Sequence, residues 1–294
     1  MKKLFLLIYG LILYIGLFGQ ESSMLWEIKH PESNQKSYVF GTNHMITEDL
    51  FFISDSLQHY ISQVDEVYFE VDMSNDNLML TMLGLMDKIM MPADSSLKDL
   101  LTDEDYQAVM KAFAKSGLPP LMGEKIKPLF LSMILETSSN NTSDGLMSNW
   151  KSYELEIGAL AETNNIPING LETIAFQISM FDHISLSDQA SMLVDQIKNQ
   201  GENESSTNDL YTIYLSQDLD KLGELINADL MASGYNDILI TNRNKAWITT
   251  INELSQNKTC LYAVGAGHLP GEMGILNLLK EKGFIIRPIE NKRP

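Results

Sequence analysis

The sequence predicts a protein of the α/β class, with strands towards both ends of the chain and a helical middle. Alternating residues at 66–72 and an apolar run at 259–264 are typical of strands. Between about 76 and 255, leucine and methionine recur at helical spacing. Two short glycine-histidine motifs follow strands, and open α/β sheets bind ligands beyond the carboxyl ends of their strands.

The beginning of the chain predicts the order strand, strand, helix, strand. A cluster of turn residues at 31–34 separates the first two strands and indicates a hairpin. Ile53, Leu57 and Ile61 recur at the spacing of one helical face. The strands are predicted at 24–30, 37–40 and 66–72, and the helix at 54–63.

The middle predicts a series of helices separated by polar loops. Thr102 suits a helix N-cap because its hydroxyl can accept a backbone N–H, and acidic residues follow it. A short strand is predicted at 167–171, with Glu172 at the start of the next helix. The last long helix is predicted from about Asp237 to Leu254. It precedes a strand-helix-strand unit that has Pro270 at the start of its helix.

The first twenty residues predict a secretory signal peptide, which leaves residues 21–294 as a single domain. Lys2 and Lys3 precede an almost wholly apolar run from Leu4 to Phe18, and polar residues begin after Gly19. The run is shorter than the roughly 20 residues that a membrane-spanning helix needs. We therefore expect an exported protein, periplasmic or secreted. The alternative is an uncleaved segment that anchors the N-terminus to the membrane.

The formal net charge of −18 argues against nucleic acid as a partner. Proteins that bind nucleic acid need clustered Lys and Arg to neutralise phosphates. The same acidity argues against binding to an anionic membrane surface. Cys260 is the sole cysteine, so it cannot form an internal disulfide, and we expect it to be a small buried side chain.

The two glycine-histidine motifs are the strongest candidates for a functional site. One runs from Gly41 to His44, and the other contains Gly265 and Gly267 and ends at His268. Glycine allows a tight exit from a strand and a close approach of the backbone. Paired histidines beyond strand ends suit metal binding or acid–base chemistry. The alternative for each histidine is a hydrogen-bonded structural role.

Three acidic residues and one arginine are further candidates. Glu70 and Asp72 share one face of the third strand, where they can bind a metal or divide general-base and ligand roles. The alternative is a strand end that faces solvent. Glu172 suits the start of a helix, where an acid is stabilising as a cap. Arg243 can grip a carboxylate or phosphate with two hydrogen bonds, and the alternative is a surface ion pair.

The order of these motifs resembles the TraB/PrgY/GumN family. The resemblance runs from about Trp26 to Pro288 and rests on five stretches. They are Gly41-Thr-Asn-His44, Phe69-Glu70-Val-Asp72, Gly170-Leu-Glu-Thr173 with Gln177, Asn242-Arg-Asn244 and Val264-Gly-Ala-Gly-His-Leu-Pro-Gly271 with Gly274. The family includes the TIKI metalloproteases and is similar to the erythromycin esterase and ChaN group. The resemblance implies a central mixed sheet flanked by helices, with both histidine loops at one site.

The resemblance also implies roles for the candidate residues. His44 and His268 would be metal ligands or catalytic bases, Glu70 matches the family's acid after the third strand, and Arg243 matches its arginine. Glu154 departs from the family pattern, because many relatives have an aspartate at this helix start. It keeps the charge and lengthens the reach. The residues expected to support the site are Asp72, Glu172, Asn242, Asn244, Gly41, Gly265 and Gly267.

We expect a divalent-metal-dependent hydrolase of the peptidase type, with a peptide or protein as substrate. His44, His268 and Glu70 would hold manganese, cobalt or zinc, because imidazole and carboxylate suit those metals. Glu70 and Arg243 would be catalytic, with Arg243 stabilising negative charge on the reacting oxygen or gripping a substrate carboxylate. No organic cofactor is expected, because the glycines lack a GxGxxG or P-loop pattern. Two alternatives stay open: a protein that sequesters a peptide without cleaving it, and a metal-independent esterase.

Overall fold

The computed structural model describes residues 22–71, 84–139, 149–199 and 209–294. The signal peptide predicted at 1–20 lies outside the described residues and stays a prediction, and Asp72 also lies outside them. None of the helices in these ranges combines the length and the apolar character that a membrane span requires.

The described residues form a central sheet of six strands and a small ladder of two. The strands are β1 (Leu25–Lys29), β2 (Lys36–Thr42), β3 (Ile46–Thr47), β4 (Glu66–Val71), β5 (Trp150–Lys151), β6 (Ile168–Glu172), β7 (Cys260–Gly265) and β8 (Ile285–Ile289). The central order is β6-β4-β7-β2-β1-β8, and β3 pairs with β5. Neighbours among β6, β4, β7 and β2 are parallel, whereas β1 is antiparallel to β2 and β8. The predicted α/β fold with a mixed sheet is confirmed.

Parallel pairing brings the carboxyl ends of four strands to one edge of the sheet. Thr42 at the end of β2 pairs with Gly265 at the end of β7. Val71 at the end of β4 pairs with Glu172 at the end of β6. Because β7 lies between β4 and β2, the two histidine loops leave the sheet from neighbouring strands.

Helices flank the sheet and build the middle of the chain. They are α1 (Asp55–Ile61), α2 (Met86–Ile89), α3 (Leu97–Leu100), α4 (Asp103–Phe113), α5 (Pro120–Lys125), α6 (Pro128–Ser139), α7 (Tyr153–Thr163), α8 (Ile174–Met180), α9 (Leu186–Lys198), α10 (209–215), α11 (Leu219–Ser233), α12 (Asn242–Leu254) and α13 (Ile275–Glu281). Short 3₁₀ turns span Ala114–Ser116, Phe181–His183 and Ala266–His268, and a π-helical turn spans Asp237–Thr241. The hydroxyl of Thr102 accepts the N–H of Asp105 at 3.2 Å, which makes Thr102 the predicted cap of α4.

Two apolar clusters stabilise this arrangement. The larger one contains the central sheet and the helices against it, with Phe40, Tyr262 and Ile251 among its buried members. The smaller one lies in the helical middle and includes Phe113 and Leu131. Full burial of one such side chain contributes about 1.5–3 kcal/mol. The larger cluster therefore fixes the strands whose ends carry the histidine loops.

Three local predictions need revision, the first being that the helix expected to start at Pro270 begins at Ile275. Glu172 ends strand β6 instead of starting a helix, because its backbone pairs with Val71. Thr173 is the N-cap of α8, since its hydroxyl accepts the N–H of Phe176 at 3.2 Å. The long helix predicted from about 237 to 254 is present, but its first turn is π-helical. Cys260 is fully buried in β7, as expected.

Candidate active site

Charged and polar side chains from six segments meet at the carboxyl edge of the central sheet. Strand ends and the loops behind them supply four of the residues, and helices supply two. They are His44 after β2, Glu70 of β4, Glu172 of β6, His268 after β7, Glu154 of α7 and Arg243 of α12. The parallel sheet therefore joins residues that are far apart in sequence.

Glu70 is the residue that links both histidines. Its Oε1 accepts the backbone N–H of Gly265 at 2.8 Å. The same oxygen lies 3.8 Å from Nε2 of His44 and 3.7 Å from Nε2 of His268. Its Oε2 accepts a hydrogen bond from Arg243. One carboxylate oxygen thus faces the two histidines, and the other is held by the arginine.

Arg243 is buried, and all five of its guanidinium N–H groups have acceptors. Nε and NH2 donate to the two carboxylate oxygens of Glu172, at 3.2 and 2.7 Å. NH2 also donates to Glu70, and NH1 donates to the carbonyl of Leu239 at 3.1 Å and to Nε2 of His268 at 3.0 Å. This bidentate, fully hydrogen-bonded arrangement excludes the alternative of a surface ion pair.

Asn244 determines which nitrogen of His268 carries the proton. Its Nδ2 donates to the carbonyl oxygens of His268 and Met273, at 3.2 and 2.7 Å. Because those oxygens only accept, Oδ1 of Asn244 is the atom that faces Nδ1 of His268, at 2.7 Å. Nδ1 therefore donates its proton to Asn244, and Nε2 presents a lone pair. The ring of Trp247 packs against this imidazole with centroids 4.6 Å apart.

His44 is held by a different carboxylate and is more open to solvent. Its Nδ1 lies 2.7 Å from Oε1 of Glu154, and the same oxygen accepts the hydroxyl of Thr42 at 2.6 Å. The side chain of His44 is 61% exposed, whereas that of His268 is 6% exposed. A ligand from solvent therefore meets His44 first.

The two histidines differ in charge at neutral pH. Burial lowers the pKa of His268 to about 3, and the charge of Arg243 acts in the same direction against the opposing effect of Glu70. Desolvation opposes the protonation of His44 as well. Its hydrogen bond to Glu154 and the charge of that carboxylate outweigh desolvation and raise the pKa of His44 to about 9. The site therefore pairs a neutral imidazole with an imidazolium.

The two carboxylates that bind Arg243 also differ in the direction of their pKa shifts. Burial raises the pKa of Glu70, but the charge of His268, which is protonated below about pH 3, and the charge of Arg243 outweigh burial and lower this pKa to about 2. Burial is the main reason that the pKa of Glu172 is raised, although its hydrogen bond to Arg243 opposes the effect. Glu70 is thus the more acidic carboxyl and is ionised at neutral pH.

Two glycines allow the strands and loops to approach closely. A Cβ on Gly265 would lie 3.1 Å from Oε1 of Glu70 and 3.1 Å from Nε2 of His44. A Cβ on Gly41 would lie 3.1 Å from the side chain of Ala266. A side chain at Gly265 would therefore push directly against the groups that face each other in the site.

The structure brings most of the sequence-predicted site residues together. Glu172 and Asn244 contact the site through Arg243 and His268, respectively. Asn242, the residue before Arg243, is instead exposed at the start of α12.

Three residues contact the site although the sequence prediction gave them no role in it, two of them at positions that the family resemblance covers. They are Glu154, Gln177 and Trp247. Nε2 of Gln177 donates to Oε2 of Glu70 at 3.2 Å, and Nε1 of Trp247 donates to Oε2 of Glu172 at 3.2 Å. The Trp247 ring also lies 4.6 Å from the guanidinium carbon of Arg243. The available signals were weak: an acid at a helix start for Glu154, and helical spacing from Arg243 for Trp247.

The donor atoms suit a transition-metal ion in type, but their arrangement is not that of a formed metal site. Two imidazole nitrogens and one carboxylate oxygen face each other, which is a ligand set that manganese, cobalt or zinc accepts. Nε2 of His268, however, already accepts a hydrogen bond from Arg243. Among the described residues, no group of three or more His, Cys, Asp or Glu is arranged to hold a metal. Metal binding at these residues would require NH1 of Arg243 to withdraw from His268.

The fold and the site together define a class of protein. It is a mixed α/β protein in which two glycine-histidine loops flank a buried carboxylate that an arginine holds in place. The chain belongs to the TraB/PrgY/gumN family, whose sequence model matches residues 24–288.

The chain is also similar to curated animal proteins. It is 23% identical to Metalloprotease TIKI2 of Danio rerio, over 93% of this chain and 62% of the relative. It is 24% identical to Metalloprotease TIKI1 of Homo sapiens, over 93% of this chain and 63% of the relative. The chain thus spans about three fifths of the length of these relatives. No solved structure matches it significantly.

Proposed function

We propose that this protein is a peptide-bond hydrolase that acts at the carboxyl edge of its central sheet. The observation that carries the proposal is the position of Glu70, whose Oε1 lies within 3.8 Å of Nε2 of both His44 and His268. The metalloprotease names of the relatives support a protease-like reaction on a protein substrate. The apolar segment at 1–20 supports the further proposal that the protein acts after export, in the periplasm or outside the cell.

The metal is part of the proposal. His44, His268 and Glu70 would hold a divalent cation, with manganese, cobalt and zinc as the candidates. Such a cation supplies Lewis acidity, which acidifies water and polarises a carbonyl. Asn244 prepares His268 for this role, because it fixes the proton on Nδ1 and so leaves the lone pair on Nε2. That lone pair becomes available to a cation once NH1 of Arg243 withdraws from it.

The protein's own residues orient the site and set its charges. Glu172 anchors Arg243, and Arg243 in turn fixes the carboxylate of Glu70. All five N–H groups of Arg243 already donate hydrogen bonds. To stabilise negative charge on a substrate oxygen, one of these groups must leave its present acceptor and donate to the substrate instead. The NH1 group that contacts His268 is the one that must also move for metal to bind. We therefore propose that this N–H turns to the substrate.

The test is a library of internally quenched peptides, incubated with protein that has been treated with a chelator. Manganese, cobalt and zinc are then added back separately, and elemental analysis measures bound metal. We expect a metal to restore cleavage and to bind stoichiometrically. His44→Ala and His268→Ala should abolish both cleavage and metal binding while circular dichroism shows a retained fold. His59→Ala is the matched control, because His59 is an exposed histidine on α1.

Several outcomes would overturn the proposal. Full activity in folded His268→Ala protein would exclude this residue from the reaction. Depletion of peptides without any cleavage product, with every metal tested, would instead indicate a protein that sequesters peptides.

The contact between Arg243 and His268 favours a second candidate, a hydrolase that needs no metal. In this arrangement Nε2 of His268 is already paired with a cationic N–H at 3.0 Å. His44, with its pKa raised to about 9, could donate a proton from Nε2 to a leaving group. Ester or peptide hydrolysis that survives the chelator and is lost in His44→Ala would establish this candidate over the first.

A further inference from the structure

We propose that an apolar pocket beside the two histidines receives an apolar side chain of the substrate and thereby selects the bond that is cleaved. The inference rests on the proposed function and adds a substrate class to it. The pocket has a volume of about 240 Å³ and is lined in part by His44 and His268. Its apolar wall consists of Leu210, Tyr214, Leu222, Ile226 and Ile240.

The wall comes from helices that pack over the site. Leu210 and Tyr214 are four residues apart on α10, and Leu222 and Ile226 are four residues apart on α11. Residues at this spacing lie on the same face of a helix. Ile240, in the π-helical turn before α12, completes the wall. Each of these two helices therefore presents an apolar pair to the pocket.

The pocket offers apolar surface because the two hydroxyl groups in its lining already have partners. The hydroxyl of Tyr214 donates to the carbonyl of Gly41 at 3.0 Å. The hydroxyl of Thr42 donates to Glu154 at 2.6 Å. Among the described lining residues there is no Asp, Glu, Lys or Arg. A cationic side chain would find no opposite charge in this lining, and burying it there would be costly.

The size of the pocket indicates a part of a ligand, not a whole one. Pockets that enclose complete small molecules typically measure about 300–1,000 Å³. A volume of about 240 Å³ is below that range and suits one aliphatic or aromatic side chain. The main chain that carries this side chain would remain outside the pocket, next to the histidines.

The apolar wall of the pocket contacts the second histidine loop, so the pocket lies directly beside the site. A Cβ on Gly267 would lie 2.9 Å from Cδ1 of Ile226, so the side chain of Ile226 lies directly against the loop backbone. Gly267 is next to His268 in sequence. A substrate side chain that contacts Ile226 therefore brings the substrate backbone close to the imidazole of His268.

The experiment compares cleavage preferences of wild type, Ile226→Trp and Ile226→Ala on peptides that differ at single positions. We expect the wild type to prefer Leu, Met or Phe over Gly or Lys at one position near the cleaved bond. One methylene in an apolar pocket changes kcat/KM by about 10–200-fold. Ile226→Trp should reduce the preference for these side chains by at least about 10-fold. Ile226→Ala should shift it towards larger aromatic side chains. The matched control is Ile197→Trp, at a half-buried isoleucine of the smaller apolar cluster.

A binding measurement separates failure of this inference from failure of the proposed function. N-acetyl-leucinamide and N-acetyl-glycinamide are titrated against each protein while NMR follows the C2–H signal of His44. Preferential binding of the leucine compound, lost in Ile226→Trp, supports the pocket even if no peptide is cleaved. Equal binding of both compounds, or cleavage whose preference is unchanged in both Ile226 variants, overturns the inference. If Ile226→Trp does not fold, the test rests on Ile226→Ala, whose cleavage preference should shift towards larger aromatic side chains.

Discussion

Removal of the Arg243 guanidinium should destabilise the fold strongly, because it leaves two buried carboxylates without their cation. The side chains of Arg243 and Glu70 are each 8% exposed, and that of Glu172 is 5% exposed. Removing one partner of a buried ion pair costs about 3–5 kcal/mol. We therefore expect Arg243→Met to lose about 3–5 kcal/mol of unfolding free energy at pH 7. A loss of this size corresponds to a drop in Tm of roughly 6–20 °C.

The pH dependence of this loss tests its electrostatic origin. In the wild type the pKa of Glu70 is about 2, below its usual value of 4.5. Its ionisation therefore contributes stability that is fully present above about pH 4.5 and is lost as the pH falls towards 2. Without Arg243, burial should raise the pKa of Glu70, so that protonation relieves the unpaired charge. The deficit of Arg243→Met should then be smaller at pH 4.5 than at pH 7.

Urea unfolding followed by circular dichroism measures both quantities. Arg287→Met is the matched control, because Arg287 lies exposed on the edge strand β8. We expect the control to change the unfolding free energy by no more than about 0.5 kcal/mol. A deficit below about 1 kcal/mol for Arg243→Met would refute the view that Arg243 neutralises a buried pair of carboxylates. A deficit that is independent of pH would refute its electrostatic origin.

Three further predictions concern the residues around Arg243. His268, with a folded pKa of about 3 against 6.5 when unfolded, should make the wild type lose about 2 kcal/mol between pH 7 and pH 5. In urea unfolding, His268→Gln should lose less stability than the wild type between pH 7 and pH 5, by about the same amount. An equal loss in both proteins would contradict the prediction. Glu154→Gln should move the pKa of His44 from about 9 towards 6.5 in an NMR titration, and an unmoved pKa would show that Glu154 is not its cause. Gly267→Ala should cost about 0.5–1.5 kcal/mol, because the atom that the added methyl meets, Cδ1 of Ile226, is the end of a side chain that can rotate away. The double variant with Ile226→Ala should recover most of that loss in thermal unfolding, and no recovery would locate the collision elsewhere.

The fold and the histidine loops could be predicted because their signals are local in sequence. The strand before His44 and the strand before His268 each show an apolar stretch that ends in glycine. A parallel sheet then requires their carboxyl ends to lie at the same edge. The order of the motifs along the chain supplied Glu70 and Arg243 as companions.

The contacts that these residues make could not be predicted, because they depend on long-range packing. Glu154 and His44 are 110 residues apart, and no pattern along the chain joins them. Glu172 precedes a helix so closely that its sequence suggests a helix start, whereas pairing with Val71 makes it the end of a strand. The engagement of every N–H of Arg243 likewise becomes visible only when the strands and α12 are packed together.

The position of β7 has a consequence for how the protein is made. This strand, Cys260–Gly265, lies between β4 and β2, which both precede it by almost two hundred residues or more. Until it has been synthesised, β2 and β4 each have an unpaired edge, and apolar strands with open edges are prone to aggregate. The two halves of the site come together only when this late strand inserts between the early ones. The reactive groups therefore assemble only when nearly the whole chain is available. A nascent or shortened chain without this strand lacks the site, and its open strand edges make it the form that most needs a chaperone.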